Sequence, residues 1–237
     1  MSKHAVVLAG GQGTRLRPYT LVLPKPLMPI GEFPILEVII RQLAYYGFST
    51  ITLAVNHQAS IIKAFFGDGE RWGVKIDYAL EDIPLGTMGP LKQMMNLPEN
   101  FLVMNGDILT DMNFCEFYED HERRGDIFTV SSYQREHTVD YGVLGTNEQG
   151  FLREFNEKPK LKYEVSMGVY MLNRRVIDVI PINKLYGFDN LMLDLIKFGN
   201  PTWVKLFHGY WLDIGRPDDY VQAIDEFEKM RPKFLVE

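Results

Sequence analysis

The chain has 237 residues, of which 46% are hydrophobic and 24% are charged, and its formal net charge is −6. This composition excludes a disordered chain, and the length suits one large α/β domain with a substantial core. The negative net charge argues against a general nucleic-acid binder, because binding to a phosphate backbone requires a surplus of clustered cations.

Short apolar runs alternate with helical patterns in the first half of the chain. The apolar runs predict strands at residues 5–8, 50–55, 74–79 and 101–104. Apolar spacings of three and four residues predict helices at residues 34–46, 59–66 and 89–95. Repeated strand–helix–strand units of this length predict a parallel sheet with helices on both faces.

The pattern is less regular after residue 107. Strands are predicted at residues 126–132, 141–146, 151–155, 165–172 and 204–207. Helices are predicted at residues 189–198 and 217–229. Because we find neither a linker nor an internal repeat, we predict one domain over residues 1–237. Its fold class is α/β, with a Rossmann-like, doubly wound sheet that is mixed but mostly parallel.

The loop after the first predicted strand contains three glycines, Gly10, Gly11 and Gly13. Such a loop can turn with positive φ and bring its N–H groups close to a ligand. Arg15 and Lys25 add positive charge, so the loop suits a polyphosphate. Leu16 stands where a dinucleotide fingerprint requires a third glycine, and no Gly-Lys-Ser/Thr triplet follows. A simple glycine turn with two surface cations is the alternative.

Two acidic residues follow apolar runs at predicted strand ends. Asp107 comes after the strand at residues 101–104, and Asp213 comes after Tyr210-Trp211-Leu212. Two carboxylates that converge at one edge of the sheet could hold Mg²⁺, which prefers oxygen ligands. A lone acid in this position can equally cap a turn or a helix. Composition alone leaves both interpretations open.

Six motifs occur in a recognisable order along nearly the whole chain. The first is the loop from Gly10 through Arg15 to Pro24-Lys25-Pro26. The later ones are Asn105-Gly106-Asp107, Tyr141-Gly142-Val143, Glu157-Lys158-Pro159, Gly168-Val169-Tyr170 and Trp211-Leu212-Asp213-Ile214-Gly215. Together they resemble the sugar-1-phosphate nucleotidyltransferase family, and most of all its mannose-1-phosphate guanylyltransferase branch. The resemblance implies a nucleotide-diphospho-sugar transferase fold, with a nucleotide-binding half at residues 1–110 and a sugar-binding half at residues 111–237.

The resemblance also implies a reaction. In this family an oxygen of the sugar 1-phosphate attacks the α-phosphorus of a nucleoside triphosphate, and pyrophosphate leaves. By likeness, Arg15 would hold the β- and γ-phosphates, Lys25 the region of the α-phosphate, and Lys158 the sugar phosphate. Asp107 and Asp213 would hold Mg²⁺. The expected catalytic residues are Arg15, Lys25, Asp107 and Asp213.

The same resemblance assigns the residues around the two substrates. The nucleotide would be bound by Leu8, Gly10, Gly11, Gly13, Thr14, Arg15, Glu81, Gly86 and Thr87. The sugar phosphate would be bound by Asn105, Gly142, Glu157, Lys158, Ser166 and Gly168. The expected partners are therefore a nucleoside triphosphate and a sugar 1-phosphate.

Glu81 lies in a stretch that resembles the base-reading loop of the guanylyltransferase branch. A carboxylate accepts hydrogen bonds only, and guanine offers adjacent N1–H and N2–H donors. Uracil and thymine offer one N–H flanked by carbonyls, so the sequence favours GTP. A Glu81 side chain that points to solvent is the alternative.

The sugar is less well defined than the base. The guanylyltransferase branch usually has an asparagine at the position of Ser166, and the shorter hydroxyl reaches less far. We predict mannose 1-phosphate as the first candidate for the sugar substrate and a heptose 1-phosphate as the second. A uridylyl- or thymidylyltransferase that acts on a hexose 1-phosphate is a further alternative.

Two further protein classes fit the sequence less well. A metal-dependent glycosyltransferase would carry an Asp-x-Asp motif, whereas the next acid after Asp107 is Asp111. A silent nucleotide-sugar sensor would be expected to lack Arg15, Lys25 or one of the two acids, and all are present.

The remaining sequence features concern location and assembly. Cys115 is the one cysteine, so it cannot form an intrachain disulfide, and it has no partners at zinc spacing. No apolar run is long enough to span a membrane, and the chain begins with a strand pattern instead of a signal peptide. We therefore expect a cytoplasmic protein without nucleic-acid or membrane partners. The family resemblance also allows a homo-oligomer.

Overall fold

Thirteen strands form the framework of the described part of the chain. The computed structural model describes residues 2–11, 13–56, 58–81 and 83–235. The strands are β1 Lys3–Leu8, β2 Pro29–Ile30, β3 Phe33–Pro34, β4 Phe48–Val55, β5 Lys75–Leu80, β6 Asn100–Asn105, β7 Ile108–Thr110, β8 Phe128–Thr138, β9 Val143–Thr146, β10 Leu152–Asn156, β11 Lys160–Asn173, β12 Thr202–Phe207 and β13 Trp211–Asp213.

Seven of these strands form one sheet in the order β12-β8-β11-β6-β1-β4-β5. Strand β11 runs antiparallel to both of its neighbours, β6 and β8. The other neighbouring pairs are parallel. The prediction of a mixed but mostly parallel sheet is therefore confirmed.

The α-helices cover both faces of this sheet. They are α1 Ile35–Tyr45, α2 Ala59–Phe66, α3 Phe114–Arg124, α4 Phe188–Lys197 and α5 Pro217–Phe234. Successive side chains of a strand point to opposite faces, so alternate residues of β1 and β6 enter different cores. Val7 and Met104 pack in the core that contains apolar residues of α1, α2, α3 and α5. Val6 and Val103 pack in the other core, with α4. The doubly wound arrangement is confirmed.

The parallel register brings the ends of neighbouring strands to one edge. Leu8 at the end of β1 lies opposite Ala54 in β4 and Asn105 in β6. Val55 at the end of β4 lies opposite Leu80 in β5. The loops after these strands therefore meet at the carboxyl edge, where ligands bind in open α/β sheets.

Helix α3 is absent from the sequence-based prediction. Its buried residues, Phe114, Phe117, Tyr118 and His121, follow the helical spacing. The Asn113 side chain accepts a hydrogen bond from the Glu116 N–H at 3.0 Å, and Gly125 follows the helix in a left-handed conformation. Charged residues fill the outer face of α3, and one of its four buried positions is a histidine. The apolar stripe is therefore too narrow to predict the helix from the sequence.

Other elements differ from the prediction in type or length. The predicted helix at residues 89–95 is a short 3-10 helix, Gly89–Gln93, with Pro90 near its start. Strands β8 and β11 extend beyond their predicted ends as an exposed antiparallel pair, whose residues lack alternating burial. Apolar periodicity could not reveal this extension, because there is no core beneath it.

Strands from both predicted halves of the chain belong to the same sheet, with β11 paired to β6. The division of function between residues 1–110 and 111–237 stays a prediction. In the described ranges, none of the helices combines the length and the apolar character needed to cross a membrane.

Candidate active site

The pairing of β7 with β13 brings two distant acids together. Asp213 lies opposite Ile108 in this antiparallel pair. Ile214 donates its backbone N–H to the Asp107 carbonyl at 3.0 Å, which extends the pairing past the strand ends. The two carboxylates predicted from separate motifs thus lie on adjacent backbone segments.

Lys25 and Asp107 form an ion pair at this position. The Lys25 Nζ contacts Asp107 Oδ2, and the lysine is only 8% exposed. Lys25 begins a 3-10 helix, Lys25–Leu27, in the loop that follows β1. The other oxygen, Asp107 Oδ1, is buried and has no hydrogen-bond partner among the described residues. One carboxylate oxygen is therefore neutralised, and the other is left available for a ligand.

Arg15 and Asp213 complete this cluster. A Cβ at Gly215 would lie 3.5 Å from both Arg15 Nη1 and Asp213 Oδ2, so the glycine lies beside both groups. Burial raises the pKa of the Asp213 carboxyl, and the charge of Asp107 raises it further. Lys25 and Arg15 oppose this shift. The structure thus brings together the four residues that the sequence predicted to be catalytic.

A cleft of about 550 Å³ lies at the carboxyl edge of the sheet, and its lining includes Asn105, two residues before Asp107. Six predicted nucleotide-binding residues line it: Leu8, Gly10, Gly11, Glu81, Gly86 and Thr87. Gly13 and Thr14 lie instead in the turn that leads to Arg15. Gly13 has a φ of 60° and its carbonyl accepts a hydrogen bond from Thr20 Oγ1 at 2.7 Å. We call this space the nucleotide cleft, after the predicted role of the six residues.

Glu81 lies inside the nucleotide cleft, next to the glycine loop. A Cβ at Gly10 would lie 3.2 Å from Glu81 Oε1, so the glycine allows this close approach. The Leu85 N–H donates to Glu81 Oε2 at 3.4 Å. Burial raises the pKa of the Glu81 carboxyl. The sequence did not identify Asn56, which follows β4, lines the same cleft and donates its amide to the Gly10 carbonyl. Its place just after a strand of the parallel sheet was the available signal.

A second cleft, of about 510 Å³, adjoins the first at Asn105, which lines both. Five predicted residues line it: Arg15, Asn105, Ser166, Gly168 and Asp213. Six further polar or aromatic residues line it that the sequence did not assign: Arg135, Tyr170, Phe188, Trp211, Arg216 and Asp219. We call this space the sugar cleft, after the predicted role of Asn105, Ser166 and Gly168.

A stacked aromatic pair lies in the wall of the sugar cleft. The rings of Tyr170 and Phe188 are 4.5 Å apart with an interplanar angle of 19°. The Tyr170 hydroxyl is 3.1 Å from Ser166 Oγ, and burial raises the pKa of Tyr170 to about 12. The hydroxyl therefore stays neutral and available for hydrogen bonding near neutral pH.

Gly168 permits the close approach of Asn105, the residue that lines both clefts. Its φ is +74°, and a Cβ there would lie 2.6 Å from Asn105 Nδ2. The register of β11 against β8 shifts between Ser166 and Tyr170, where this glycine lies. A side chain at position 168 would displace Asn105 from the boundary between the clefts.

Three predicted sugar-binding residues lie elsewhere. Gly142 precedes β9, and Glu157 and Lys158 follow β10; none of the three is among the residues that line either cleft. Gly142 and Glu157 are neighbours, since a Cβ at Gly142 would lie 3.1 Å from Glu157 Oε2. Glu157 and Lys158 are exposed. Their role in sugar binding stays a prediction.

Asp107 and Asp213 have the chemistry that a magnesium site requires. Asp107 Oδ1 is a buried oxygen without a partner in the described residues, and Asp213 is a second oxygen donor beside it. Groups of three or more histidine, cysteine or acidic side chains at metal-binding distances are absent from the described ranges. Mg²⁺ in phosphate-transfer sites needs only one or two carboxylates, because substrate phosphates and waters complete its shell. The residues present fit this ion.

Comparison with known proteins adds an independent line of evidence. A family model described as nucleotidyl transferase matches residues 4–230. A UTP–glucose-1-phosphate uridylyltransferase from Synechocystis sp. is 35% identical over 93% of this chain and 62% of its own length. A mannose-1-phosphate guanyltransferase from Yarrowia lipolytica is 32% identical over 98% of this chain and 67% of its own length. The chain thus spans about two thirds of these relatives.

The fold also matches solved structures. HddC from Yersinia pseudotuberculosis superposes with a TM-score of 0.75 at 28% identity, covering 95% of this chain and 99% of HddC. HddC complexed with GMP-PN gives the same TM-score at 26% identity. The α/β architecture described above is therefore one that occurs in proteins of known structure over nearly their whole length.

Proposed function

Because the chain belongs to the nucleotidyl transferase family, we propose that it joins a nucleoside triphosphate to a sugar 1-phosphate and releases pyrophosphate. The observation that carries this proposal is the cluster of Arg15, Lys25, Asp107 and Asp213, of which Arg15 and Asp213 line one of two clefts that share Asn105. A reaction between two phosphorylated substrates needs two adjoining binding spaces, with cations and metal-binding oxygens between them.

The proposed chemistry is an in-line displacement at phosphorus. An oxygen of the sugar phosphate forms a bond to the α-phosphorus, and the bond to the β-phosphate oxygen breaks. The attacking oxygen is already anionic near neutral pH, so a general base is not required. The protein contributes by positioning the reactants and by neutralising their charge.

The cations of the cluster have different surroundings and therefore different proposed tasks. Arg15 is exposed at the sugar cleft and would bind the departing pyrophosphate. Lys25 is buried against Asp107, so it would act at the α-phosphate while holding that carboxylate in place. Asp107 and Asp213 would hold Mg²⁺, which when bound supplies further positive charge to the phosphate oxygens.

We propose GTP as the nucleotide. Glu81 is in the nucleotide cleft and has an acceptor-only carboxylate suited to the paired donors of guanine. The Yarrowia relative is described as a guanyltransferase, and HddC has been crystallised with GMP-PN. The uridylyltransferase from Synechocystis supports UTP as the competing nucleotide.

We propose mannose 1-phosphate as the leading sugar substrate, with a heptose 1-phosphate next. The Yarrowia relative is named for mannose 1-phosphate. Ser166 and the Tyr170–Phe188 stack offer hydroxyl hydrogen bonding and an apolar surface, both of which suit a sugar ring.

The test is a substrate panel scored by pyrophosphate release. The five common nucleoside triphosphates are each paired with mannose, glucose, galactose, N-acetylglucosamine and heptose 1-phosphates, with and without Mg²⁺. We expect the highest kcat/KM with GTP and mannose 1-phosphate, and turnover only with Mg²⁺. Absence of pyrophosphate with every pair would support a nucleotide-sugar sensor instead of an enzyme.

A further inference from the structure

Arg135 lies in the sugar cleft, on the face of an aromatic ring. Its Cζ atom is 4.9 Å from the centre of the Trp211 ring. Arg135 and Tyr133 are two residues apart in β8, so they share one face of the strand. The Tyr133 and Trp211 rings are 5.3 Å apart. The Trp211 indole therefore packs against the face of β8 that carries Tyr133 and Arg135.

Trp211 is itself fixed in the site. Its indole N–H donates to the Met167 carbonyl at 3.0 Å, next to Gly168. It lies in β13, two residues before Asp213. The guanidinium of Arg135 thus rests on a ring that belongs to the same short strand as one of the clustered acids.

Among the described residues, the charge of Arg135 meets the Trp211 ring and no carboxylate. Ion pairs between Arg135 and a carboxylate, and hydrogen bonds from its guanidinium, are both absent from the described ranges. An aromatic ring on one side of a guanidinium leaves N–H groups on its other sides open, and these can pair with two oxygens of a phosphate. An arginine held in this way is suited to bind a phosphate group in the cleft.

Lys158 has a different environment. It is exposed, it follows the β9–β10 hairpin with a φ of +45°, and it does not line the sugar cleft. We therefore infer that Arg135, seated on Trp211, binds the phosphate group of the sugar 1-phosphate. This inference rests on the proposed function, and it adds a substrate-binding residue that the sequence motifs do not contain.

The first experiment measures binding without turnover. Isothermal titration gives the affinity for mannose 1-phosphate and for unphosphorylated mannose in the wild-type protein and in Arg135→Gln. Hydrogen bonds from a charged donor contribute substantially to the free energy of binding. We therefore expect Arg135→Gln to bind mannose 1-phosphate roughly ten- to hundredfold more weakly than the wild type. Binding of mannose should be the same in both proteins. Arg135→Lys should restore part of the affinity, because it keeps the charge and loses the paired geometry.

A matched control is available elsewhere in the chain. Arg71 also lies over a tryptophan, with its Cζ 5.3 Å from the Trp72 ring centre, and it lines neither cleft. Arg71→Gln should leave the affinity for mannose 1-phosphate unchanged. Trp211→Leu should weaken binding in the same direction as Arg135→Gln, with little further loss in the double variant, because Trp211 acts by positioning Arg135.

Steady-state kinetics separate this inference from the proposed function. Arg135→Gln should raise the KM for mannose 1-phosphate and leave the KM for GTP unchanged. Equal affinity of wild type and Arg135→Gln for mannose 1-phosphate, or a loss confined to Lys158→Gln, would overturn the inference. If the wild type binds mannose 1-phosphate through Arg135 but releases no pyrophosphate with any nucleotide, the inference stands and the proposed function fails.

Discussion

Arg15 is exposed and lines the sugar cleft, so its side chain contributes little to the folded core. Its proposed task is to neutralise the leaving pyrophosphate. We expect Arg15→Ala to lower kcat by roughly a thousandfold, in the range seen when transition-state cations are removed. The free energy of unfolding should change by less than about 0.5 kcal/mol, since the site is on the surface.

Pyrophosphate release and urea denaturation check this pair of expectations. Arg17→Ala is the matched control, because Arg17 is exposed in the same loop and lines neither cleft. Normal turnover by a folded Arg15→Ala protein would remove Arg15 from the mechanism.

Glu81 offers a second test at the residue scale. Glu81→Gln replaces one acceptor oxygen by an NH₂ donor, which opposes one guanine donor and suits a uracil carbonyl. We expect the ratio of kcat/KM for GTP to that for UTP to fall by about tenfold. Competing the two nucleotides in one assay measures this ratio directly.

Glu70→Gln is the control for the base test, because Glu70 is an exposed acid outside both clefts. A ratio that is the same in wild type and Glu81→Gln would mean that another group reads the base. In that case Asn56, whose amide already bonds Gly10, is the next side chain to replace.

Motifs near strand ends were the part of the site that the sequence could predict. Asp107 and Asp213 follow apolar runs, and their likeness to family motifs placed them at one site. Arg135 carries no such signal, because its place beside Trp211 depends on how β8 meets β13. Pairings between distant elements cannot be deduced from local patterns, so most of the residues that line the sugar cleft were missed.

At the scale of single elements, the contribution of the α3 N-cap to the free energy of unfolding can be measured directly. Asn113 Oδ1 accepts the Glu116 N–H at 3.0 Å at the start of this helix. We expect Asn113→Ala to lower the free energy of unfolding by about 1 kcal/mol, as for other N-cap removals. Asn113→Asp should keep most of the stability, because aspartate caps equally well.

Activity is the second readout for this variant. Since Asn113 lines neither the nucleotide cleft nor the sugar cleft, kcat/KM should be unchanged at temperatures well below the unfolding midpoint. Unchanged stability in urea would show that the helix start is held by other contacts, such as the buried Phe114.

Most elements that apolar patterns predicted have a core on at least one side, although the exposed strands β9 and β10 were predicted as well. β1, β4 and β6 were found because their buried residues form continuous runs. α3 was missed because one of its four inward positions is His121 and its outer face is charged. The far ends of β8 and β11 were missed because they are exposed and leave no apolar period.

At the scale of the whole molecule, stability should depend on pH through a buried histidine. Burial lowers the pKa of His121 from 6.5 to about 4, against the opposing charge of Asp126. Its Nδ1 is 2.8 Å from Thr129 Oγ1, and its buried Nε2 has no partner among the described residues. Below pH 6.5 the unfolded chain binds a proton that the folded protein excludes until about pH 4, so stability falls as the pH falls through this window.

Urea denaturation at pH 7.5 and pH 5 measures this effect. The contribution of His121 to the loss of stability should be about 2 kcal/mol between these two values. His121→Gln should show a correspondingly smaller loss, since glutamine stays neutral throughout. Equal losses in the two proteins would place the pH dependence on other groups, of which His4 is the first candidate because burial lowers its pKa too.

The two clefts are formed by parts of the molecule that differ in how much stability a substitution costs. The nucleotide cleft is built on strand ends that are anchored in both cores, where most substitutions cost stability. The outer parts of β8 and β11, which continue from the sugar cleft, are exposed and have no core behind them. Mutations can therefore accumulate on this arm without unfolding the protein. Under the proposed function, this arm borders the acceptor side of the site, where substitutions cost the least stability.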